Sequence, residues 1–208
     1  MKDILIDAID QSVQEIASTM LFLDVISGPG IAKPSGVPYM PAPSEVSSIV
    51  GLSGGVGGGV RLASTKVVAC QLSNALAGEN LGSFSEDTKD AFAEICNILA
   101  GGIKGNMEKS VGEIHLSPPS VILGSDFLIN YKSDLESVRH FFSLDGDSFY
   151  VEVFFQQEKK KDLRIDMALT ETTVTILDDL CEKMGMTRSE VIIKFIESGN
   201  SFLSQFKT

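Results

Sequence analysis

The segment SVRHFFSLDGDSFYVEVFFQQ, residues 137–157, constrains the fold of this chain more than any other stretch. Strand-forming residues on both sides of Asp145-Gly146 predict two antiparallel strands joined by a tight hairpin. The segment EVSSIVGLSGGVGGGVRLAST, residues 45–65, predicts a second pair of strands around a glycine-rich turn. It contains neither a G-x-x-x-x-G-K nor a correctly spaced G-x-G-x-x-G and leads into a strand, so the glycines indicate a hairpin rather than a phosphate loop.

Three helices are predicted around these hairpins. Apolar residues recur at helical spacing over residues 3–26. STKVVACQLSNALAG predicts a helix capped by Ser64 or Thr65, and SEDTKDAFAEICNILAGG predicts one capped by Ser85. Helices together with an antiparallel sheet give the fold class: α+β, with the helices packed on the sheet.

Further strands are predicted at residues 113–124 and 127–132. Residues 27–44 hold five of the seven prolines and predict a non-helical connector that runs toward the sheet.

Composition limits what the chain can be. It has 208 residues, 43% of them apolar, which is enough for a core. No apolar run reaches the roughly 18 residues of a membrane span, and no signal-peptide pattern is present. We expect a cytoplasmic protein with no membrane segment. The net charge of −11 argues against a protein that coats nucleic acid.

The cysteines and histidines predict no metal centre. Cys70, Cys96 and Cys181 are widely spaced, and each lies in an apolar helical pattern. We interpret them as buried, reduced thiols of a cytosolic protein. Because no C-x-x-C pair exists and His115 and His140 stand alone, we expect no metal and no cofactor on this chain.

A polar stripe interrupts the third predicted helix. A helix advances about 100° per residue, so Glu94 lies about 40° to one side of Asp90, and Asn97 about 20° to the other. The far side carries apolar residues, Phe92, Ile95, Leu99 and Ile103. A solvated face would explain the stripe. Mid-helix Asn has poor helix propensity, however, and the small neighbours would let another surface approach, which favours a contact site.

The residue types in this stripe limit its chemistry. It has no nucleophile and no nearby histidine, which argues against covalent catalysis, and two acids with one amide make a weak metal site. An amide can hold water by donating and accepting hydrogen bonds at once. Phosphoryl transfer requires chiefly that the attacking water be oriented. The stripe therefore fits half of an active site completed by a phosphorylated partner.

Four segments resemble, in order, the CheX branch of the CheC/CheX/FliY family: GLSGGVGGGVRLAST, DAFAEICNILAGGIKGNM, LSPPSVILG and FYVEVFFQQ. Members dephosphorylate the response regulator CheY, and the resemblance covers about residues 3–157. It implies that Asn97 orients water on the aspartyl phosphate, that Glu94 pairs with the regulator's lysine and that Asp90 begins the motif. The regulator would supply the Mg²⁺. Non-catalytic docking of the regulator is the alternative.

The resemblance also bears on symmetry and assembly. QSVQEIASTML in the first predicted helix aligns with DAFAEICNILA, so that Glu15 matches Glu94, but Ser18 stands where Asn97 does. This removes the amide from the first copy and leaves one active stripe per chain. The resemblance implies a homodimer joined through sheet edges, with the strand at 149–157 as an edge that needs cover.

The charge changes near EKKKD, residues 158–162, which we predict to be a linker between a phosphatase domain at 1–157 and a second domain at 163–208. Residues 159–208 hold 8 Lys and Arg and 8 Asp and Glu, so all the excess acid lies before them. LRIDMAL followed by LDDLCEKMGMTRSEVI resembles the ribbon-helix-helix proteins of the Arc/CopG kind, which implies a strand at 163–169, two helices and a homodimer.

The ribbon-helix-helix resemblance raises DNA binding as a rival function. Its outward ribbon positions are Arg164, Asp166 and Ala168, and Arg188 with Ser189 would hold a phosphate at the second helix. Only Arg164 suits a base edge, and Asp166 would repel the DNA backbone. The segment also lacks a net positive charge. A dimer clamp is the favoured use, and a transcriptional regulator controlled by a phosphorylated partner is the alternative.

Overall fold

The computed structural model describes residues 2–34, 36–37, 42–124, 135–156 and 169–204. The chain forms two compact units, residues 1–160 and 161–208. The first unit contains, in chain order, α1 (Lys2–Ile16) with a π-helical continuation (Ala17–Leu21), β1 (Ile26–Lys33), β2 (Val46–Gly54), β3 (Gly57–Ser64), α2 (Lys66–Ala77), α3 (Glu86–Val111), β4 (Ile114–Leu116), β5 (Ser120–Leu123), β6 (Glu136–Leu144) and β7 (Asp147–Gln156). The second contains α4 (Glu171–Met184) and α5 (Arg188–Ser204).

The described strands form one antiparallel sheet in the order β1-β6-β7-β3-β2-β4, and β5 also pairs with β2. Both predicted hairpins are present, β2–β3 and β6–β7. The second turns at Asp145 and Gly146, which both have the positive φ that a tight turn of this kind needs. The predicted α+β class, with helices on an antiparallel sheet, is confirmed.

The helices of the first unit cover one face of the sheet. Helix α1 contacts β1 and β6, α2 contacts β3 and β7, and α3 contacts β2 and β3. Apolar side chains from these helices and from the sheet form a continuous core, in which Ile9, Phe92 and Ile103 are fully buried. Burial of this apolar area is what holds α3 in place and leaves its other side facing out.

A row of charged side chains crosses the other face of the sheet. Arg61, Glu152 and Arg139 are cross-strand neighbours on β3, β7 and β6, and Glu152 is fully buried. Arg139 pairs with Glu152 at 3.1 Å, and Arg61 donates to the hydroxyls of Ser44 and Ser47. The contact with Ser44 ties the segment before β2 to the sheet, and the others join neighbouring strands, so we assign this cluster a structural role.

The sheet order overturns the prediction that the strand at 149–157 is an edge. Strand β7 lies inside the sheet, with β6 on one side and β3 on the other. Its backbone is therefore already paired and needs no second chain. Among the described strands, the sheet ends at β1 on one side and at β4 and β5 on the other.

Two boundaries near the N-terminus differ from prediction. The first helix ends at Leu21 rather than near 26, because the π-helical turn closes on Phe22 in the left-handed conformation. The predicted connector contains strand β1, which pairs with β6 across an irregular register between Ser27 and Gly30. Pro29 cannot donate to a ladder, so it suits an edge strand of this kind.

The three thiols are free, as predicted, but only Cys96 is fully buried, whereas Cys70 and Cys181 are half-buried. Cys70 and Cys181 lie on α2 and α4, whose packed sides are narrow, so a cysteine at the margin of such a side stays partly exposed. The predicted strand at 127–132 lies outside the described residues. So does the predicted strand at 163–169, except for Leu169, which is not in a strand.

Candidate functional site

Helix α3, which carries the polar stripe, begins and ends at defined caps. The hydroxyl of Ser85 accepts from the backbone N–H of Thr88, and the Thr88 hydroxyl accepts in return from the backbone N–H of Ser85. Glu86 and Asp87 follow in the first turn, where the helix dipole favours acids. The helix then runs for 26 residues without interruption. A long, well-capped helix is a rigid platform for surface groups.

The stripe lies on the outer side of α3, as the helical period predicts. Asp90 and Glu94 are exposed and Asn97 is half-buried, whereas Phe92 and Ile95 on the far side are buried. The Nδ2 group of Asn97 donates to Oε2 of Glu94 over 3.4 Å, a long and therefore weak hydrogen bond. The amide and the carboxylate thus lie side by side at the surface and can both turn toward another molecule.

The backbone beside Asn97 is open on one side of the helix and closed on the other. A Cβ atom at Gly101 or Gly105 would meet nothing within 4 Å. A Cβ atom at Gly102 would lie 2.9 Å from Oγ of Ser12, because α1 crosses α3 at that point. Gly102 therefore serves the packing of two helices, whereas Gly101 leaves free space one turn after Asn97.

A lysine continues the stripe beyond Gly101. Lys104 lies seven residues after Asn97, within about 20° of it around the helix. Its Nζ is 3.5 Å from Oε1 of Glu108, and both side chains are 32% exposed. That same oxygen accepts from the backbone N–H of Ile114 over 2.9 Å, which lowers the pKa of Glu108. The stripe predicted from the sequence ended at Asn97 and did not include this lysine, although the spacing of seven residues can be read from the sequence.

The first copy of the motif lacks the geometry of the second. Glu15 is exposed, like Glu94, but the Ser18 hydroxyl donates to the carbonyl of Gln14 over 2.7 Å and so bonds within its own helix. Ser18 itself lies in the π-helical turn, and Phe22 after that turn stands out into solvent with 82% of its area exposed. The sequence predicted one amide-bearing stripe per chain because Ser18 replaces the asparagine. The π-helical end of the first helix is a second difference between the two copies.

The described residues lack two features that would bear on function. They contain no group of three His, Cys, Asp or Glu side chains that could hold a metal ion. Over the same part of the chain, no helix is both long and apolar enough to cross a membrane.

Of the five predicted DNA-binding residues, two lie among the residues that the structure describes. Arg164, Asp166 and Ala168 lie outside the described residues. Ser189 is exposed at the start of α5, and Arg188 forms a two-pronged ion pair with Asp178, at 2.6 Å and 2.7 Å. This pairing raises the pKa of Arg188 and lowers that of Asp178. The guanidinium of Arg188 thus faces a carboxylate of its own chain.

The two C-terminal helices have good local signals and little core. Thr170 caps α4, and Gly185 ends it in the left-handed conformation. Thr187 and Glu190 bond reciprocally at the start of α5. Among the described side chains of this unit, only two apolar residues are buried, Leu177 and Val191. Large apolar side chains remain more than half exposed, namely Ile176, Ile193, Phe195 and Ile196.

Comparison with known proteins places the first unit. Residues 46–143 match the family model described as Chemotaxis phosphatase CheX. A curated relative, the CheY-P phosphatase CheX of Thermotoga maritima, is 25% identical over 126 residues, which are 60% of this chain and 79% of the relative.

Solved structures show the same fold. The CheC-like superfamily protein of Shewanella sp. PV-4 is 24% identical with a TM-score of 0.63, over 75% of this chain and 99% of that one. A chain of the CheX-CheY-BeF3-Mg²⁺ complex of Borrelia burgdorferi is 25% identical with a TM-score of 0.59, over 73% of this chain and 97% of that one.

Proposed function

Starting from an N-terminal unit that is CheX-like in sequence and fold, we propose that this chain is a phosphatase of a CheY-type response regulator. The observation that carries the proposal is the pair of Glu94 and Asn97 on the outer side of α3, beside the bare backbone of Gly101. The relative from Thermotoga maritima is a CheY-P phosphatase, and the relative from Borrelia burgdorferi occurs in a complex with CheY.

In this proposal Asn97 orients the attacking water. Its amide donates through Nδ2–H and accepts at Oδ1, so it can hold one water in a fixed direction. The water oxygen forms a bond to phosphorus while the bond between phosphorus and the aspartyl oxygen breaks. The products are inorganic phosphate and the free aspartate, and the water proton passes to solvent or phosphate. Positioning of this kind supplies much of the catalysis in phosphoryl transfer.

Glu94 has a docking role in the same proposal. Its carboxylate is exposed and weakly bonded to Asn97, so it can pair with a lysine of the regulator at little cost. Asp90, one turn earlier and also exposed, would support the approach of that basic group. The regulator brings the phosphorylated aspartate and its Mg²⁺, and this chain contributes side chains. The three free cysteines agree with a reducing cytoplasm as the site of the reaction.

The test is the decay of the aspartyl phosphate on regulators from the same genome, with and without this protein. Asn97→Ala should lower the acceleration by about 100-fold, the usual effect of removing one positioned catalytic group. Asn106→Ala on the same helix is the matched control and should behave as wild type. Glu94→Ala should weaken binding of the regulator more than it slows the bound complex. Equal activity in the Asn97→Ala variant would overturn the role of the amide.

Binding without acceleration would instead favour a non-catalytic adaptor. To separate the two, the affinity of each regulator is measured alongside its rate of dephosphorylation. A folded protein that binds a regulator and leaves its phosphate lifetime unchanged fits the adaptor. Acceleration that depends on Asn97 fits the phosphatase.

For the C-terminal helices we propose a contact between two copies of the chain. Four large apolar side chains of this unit are more than half exposed, and a second copy of the same helix pair could cover them. Residues 159–208 carry no net charge, so two copies of this segment would not repel each other electrostatically. The ion pair of Arg188 with Asp178 disfavours the rival use, since a phosphate of DNA would compete with that carboxylate.

Sedimentation of the full chain tests this contact. Ile193→Asp on the exposed side of α5 should shift a dimer to monomers, whereas Lys194→Asp next to it should not. Salt-dependent binding of duplex DNA would instead support a transcriptional regulator.

A further inference from the structure

We propose that Lys104 is a substrate-binding residue, which reaches over Gly101 toward Asn97 and binds an anionic oxygen in the acidic pocket of the regulator. The inference rests on the phosphatase function proposed above. It extends the polar stripe by two turns and adds a cation to a surface otherwise made of acids and one amide.

The position of Lys104 on the helix supports this role. α3 carries three lysines, Lys89, Lys104 and Lys109. By helical rotation Lys104 lies about 20° from Asn97, whereas Lys89 lies about 80° and Lys109 about 120° from it. Along the axis Lys104 is about 10 Å beyond Asn97, and the four-carbon stem of lysine can cover much of that distance.

Gly101 leaves the path between Lys104 and Asn97 open. A Cβ atom at Gly101 would meet nothing within 4 Å, so neither a side chain nor another element of the described fold stands there. The partner's surface can approach the bare helix at this point. The lysine can then lie along the helix with its ammonium near the groups that contact Asn97.

The resting contact of Lys104 is easily given up. Its distance of 3.5 Å from Glu108 is long for an ion pair, and the pair is about one-third exposed. The carboxylate of Glu108 remains bonded to the backbone N–H of Ile114 when the lysine leaves. Release of the lysine therefore strands no buried charge.

Electrostatics explains why a cation is needed. The chain carries a net charge of −11, and Asp90 and Glu94 lie within about 60° of Asn97 around α3. A phosphorylated aspartate is itself anionic, so the two surfaces repel each other at close range. A cation within about 8 Å of the phosphoryl group acts inside the screening length of physiological salt. Lys104 is the lysine on α3 that is placed to do so.

The experiment compares four variants of the full chain for binding to a regulator in two forms, unmodified and activated with beryllofluoride. Lys104→Met keeps the length of the side chain and removes the charge. Lys104→Arg retains the charge, Lys109→Met is the matched loss of charge off the stripe, and Glu108→Gln breaks the same ion pair without touching the lysine. We expect Lys104→Met to weaken binding about tenfold, Lys104→Arg to restore most of it, and the other two to stay within twofold of wild type.

The two forms of the regulator identify the oxygen. A loss confined to the beryllofluoride form assigns the contact to the phosphoryl oxygens, whereas an equal loss in both forms assigns it to the carboxylates of the pocket. Wild-type binding by Lys104→Met overturns the inference. So does equal weakening by Glu108→Gln, because the ion pair would then act on the fold alone. Asn97→Ala, run in the same series, reports separately on the proposed function.

Discussion

Helices α1 and α3 carry the same pattern of eleven residues, 11–21 and 90–100, and use it differently. On the packed side the correspondence is close: Val13 and Phe92 are buried, and so are Ile16 and Ile95. On the outer side the two copies share a glutamate, but only the second has an amide.

The continuation of each helix is the second difference. After Asn97, α3 continues through Gly101 to Val111, whereas α1 changes into a π-helical turn before Phe22. The extra residue of such a turn changes the phase of the side chains, so Met20 is 40% exposed, although its counterpart Leu99 is buried. Burial thus keeps the apolar positions of the two helices alike. The exposed positions and the helix end determine whether a helix can contact a partner.

The largest expected effect comes from making α3 resemble α1. Asn97→Ser should reduce the proposed phosphatase activity about 100-fold, because serine in a helix bonds back to its own carbonyls, as Ser18 does, and cannot hold water as an amide does. The free energy of unfolding should change by less than about 0.5 kcal/mol, since the site is at the surface. Phosphate release and urea unfolding measure the two quantities. Ser18→Ala is the control, and a loss of activity there would contradict the comparison.

Local signals explain which parts of this molecule were predictable. The caps at Thr65 and Ser85 and the turn at Asp145-Gly146 depend on neighbouring residues, so the sequence alone indicated them. Strand β1 was missed because its prolines and glycines are typical of a loop, and only pairing with β6 makes it a strand. The inner place of β7 depends on strand order, which no local pattern contains.

The same distinction applies to the site. The direction of the stripe followed from the helical period. The bond from Ile114 to Glu108, and the free space at Gly101, depend on elements far apart in the chain, and could be seen only in the fold.

The crossing of the two helices gives the next largest effect. Gly102→Ala would bring a Cβ to 2.9 Å from Oγ of Ser12, and we expect a loss of about 1–2 kcal/mol from overpacking. In a Ser12→Ala background the obstructing oxygen is gone, so the same change should become neutral or stabilising. Urea denaturation of the four proteins measures the coupling. Additive effects of the two changes would show that Ser12 does not restrict the space at Gly102.

Cys96, whose counterpart in α1 is Ala17, predicts a pH effect. Burial raises the pKa of the Cys96 thiol from 9.0 to about 11. The folded state therefore keeps its proton at pH values where the unfolded chain releases it, and stability is lost as pH rises from 9 toward 11. Between pH 8 and pH 10, wild type should lose about 1 kcal/mol more stability than Cys96→Ala. Urea unfolding at both pH values measures this, and parallel losses would contradict it.

A smaller effect on stability, of opposite sign, is expected at Gly101. Gly101→Ala should stabilise the protein by about 0.5–1 kcal/mol, because alanine is the better helix former and its Cβ meets nothing. The same methyl group lies where we propose that the regulator approaches, so binding should weaken. Gly105→Ala is the control, with the same gain in stability and unchanged binding. Thermal unfolding and titration with the regulator separate the two. Unchanged binding by Gly101→Ala would show that the free space is not used.

The smallest change is expected when the missing amide is added to the first helix of a protein that lacks Asn97, because the proposed activity should not return. Ser18→Asn places the missing amide on α1, and in an Asn97→Ala background we expect the activity to stay within twofold of that variant. The reason is the helix end: residue 18 lies in the π-helical turn, and Phe22 projects where Gly101 leaves space in α3. Adding Phe22→Gly to the same protein tests which feature matters. Recovery with Ser18→Asn alone would show that the amide suffices and that the π-helical end of the first helix does not prevent activity. Recovery only with both changes would assign the difference to the exposed aromatic ring.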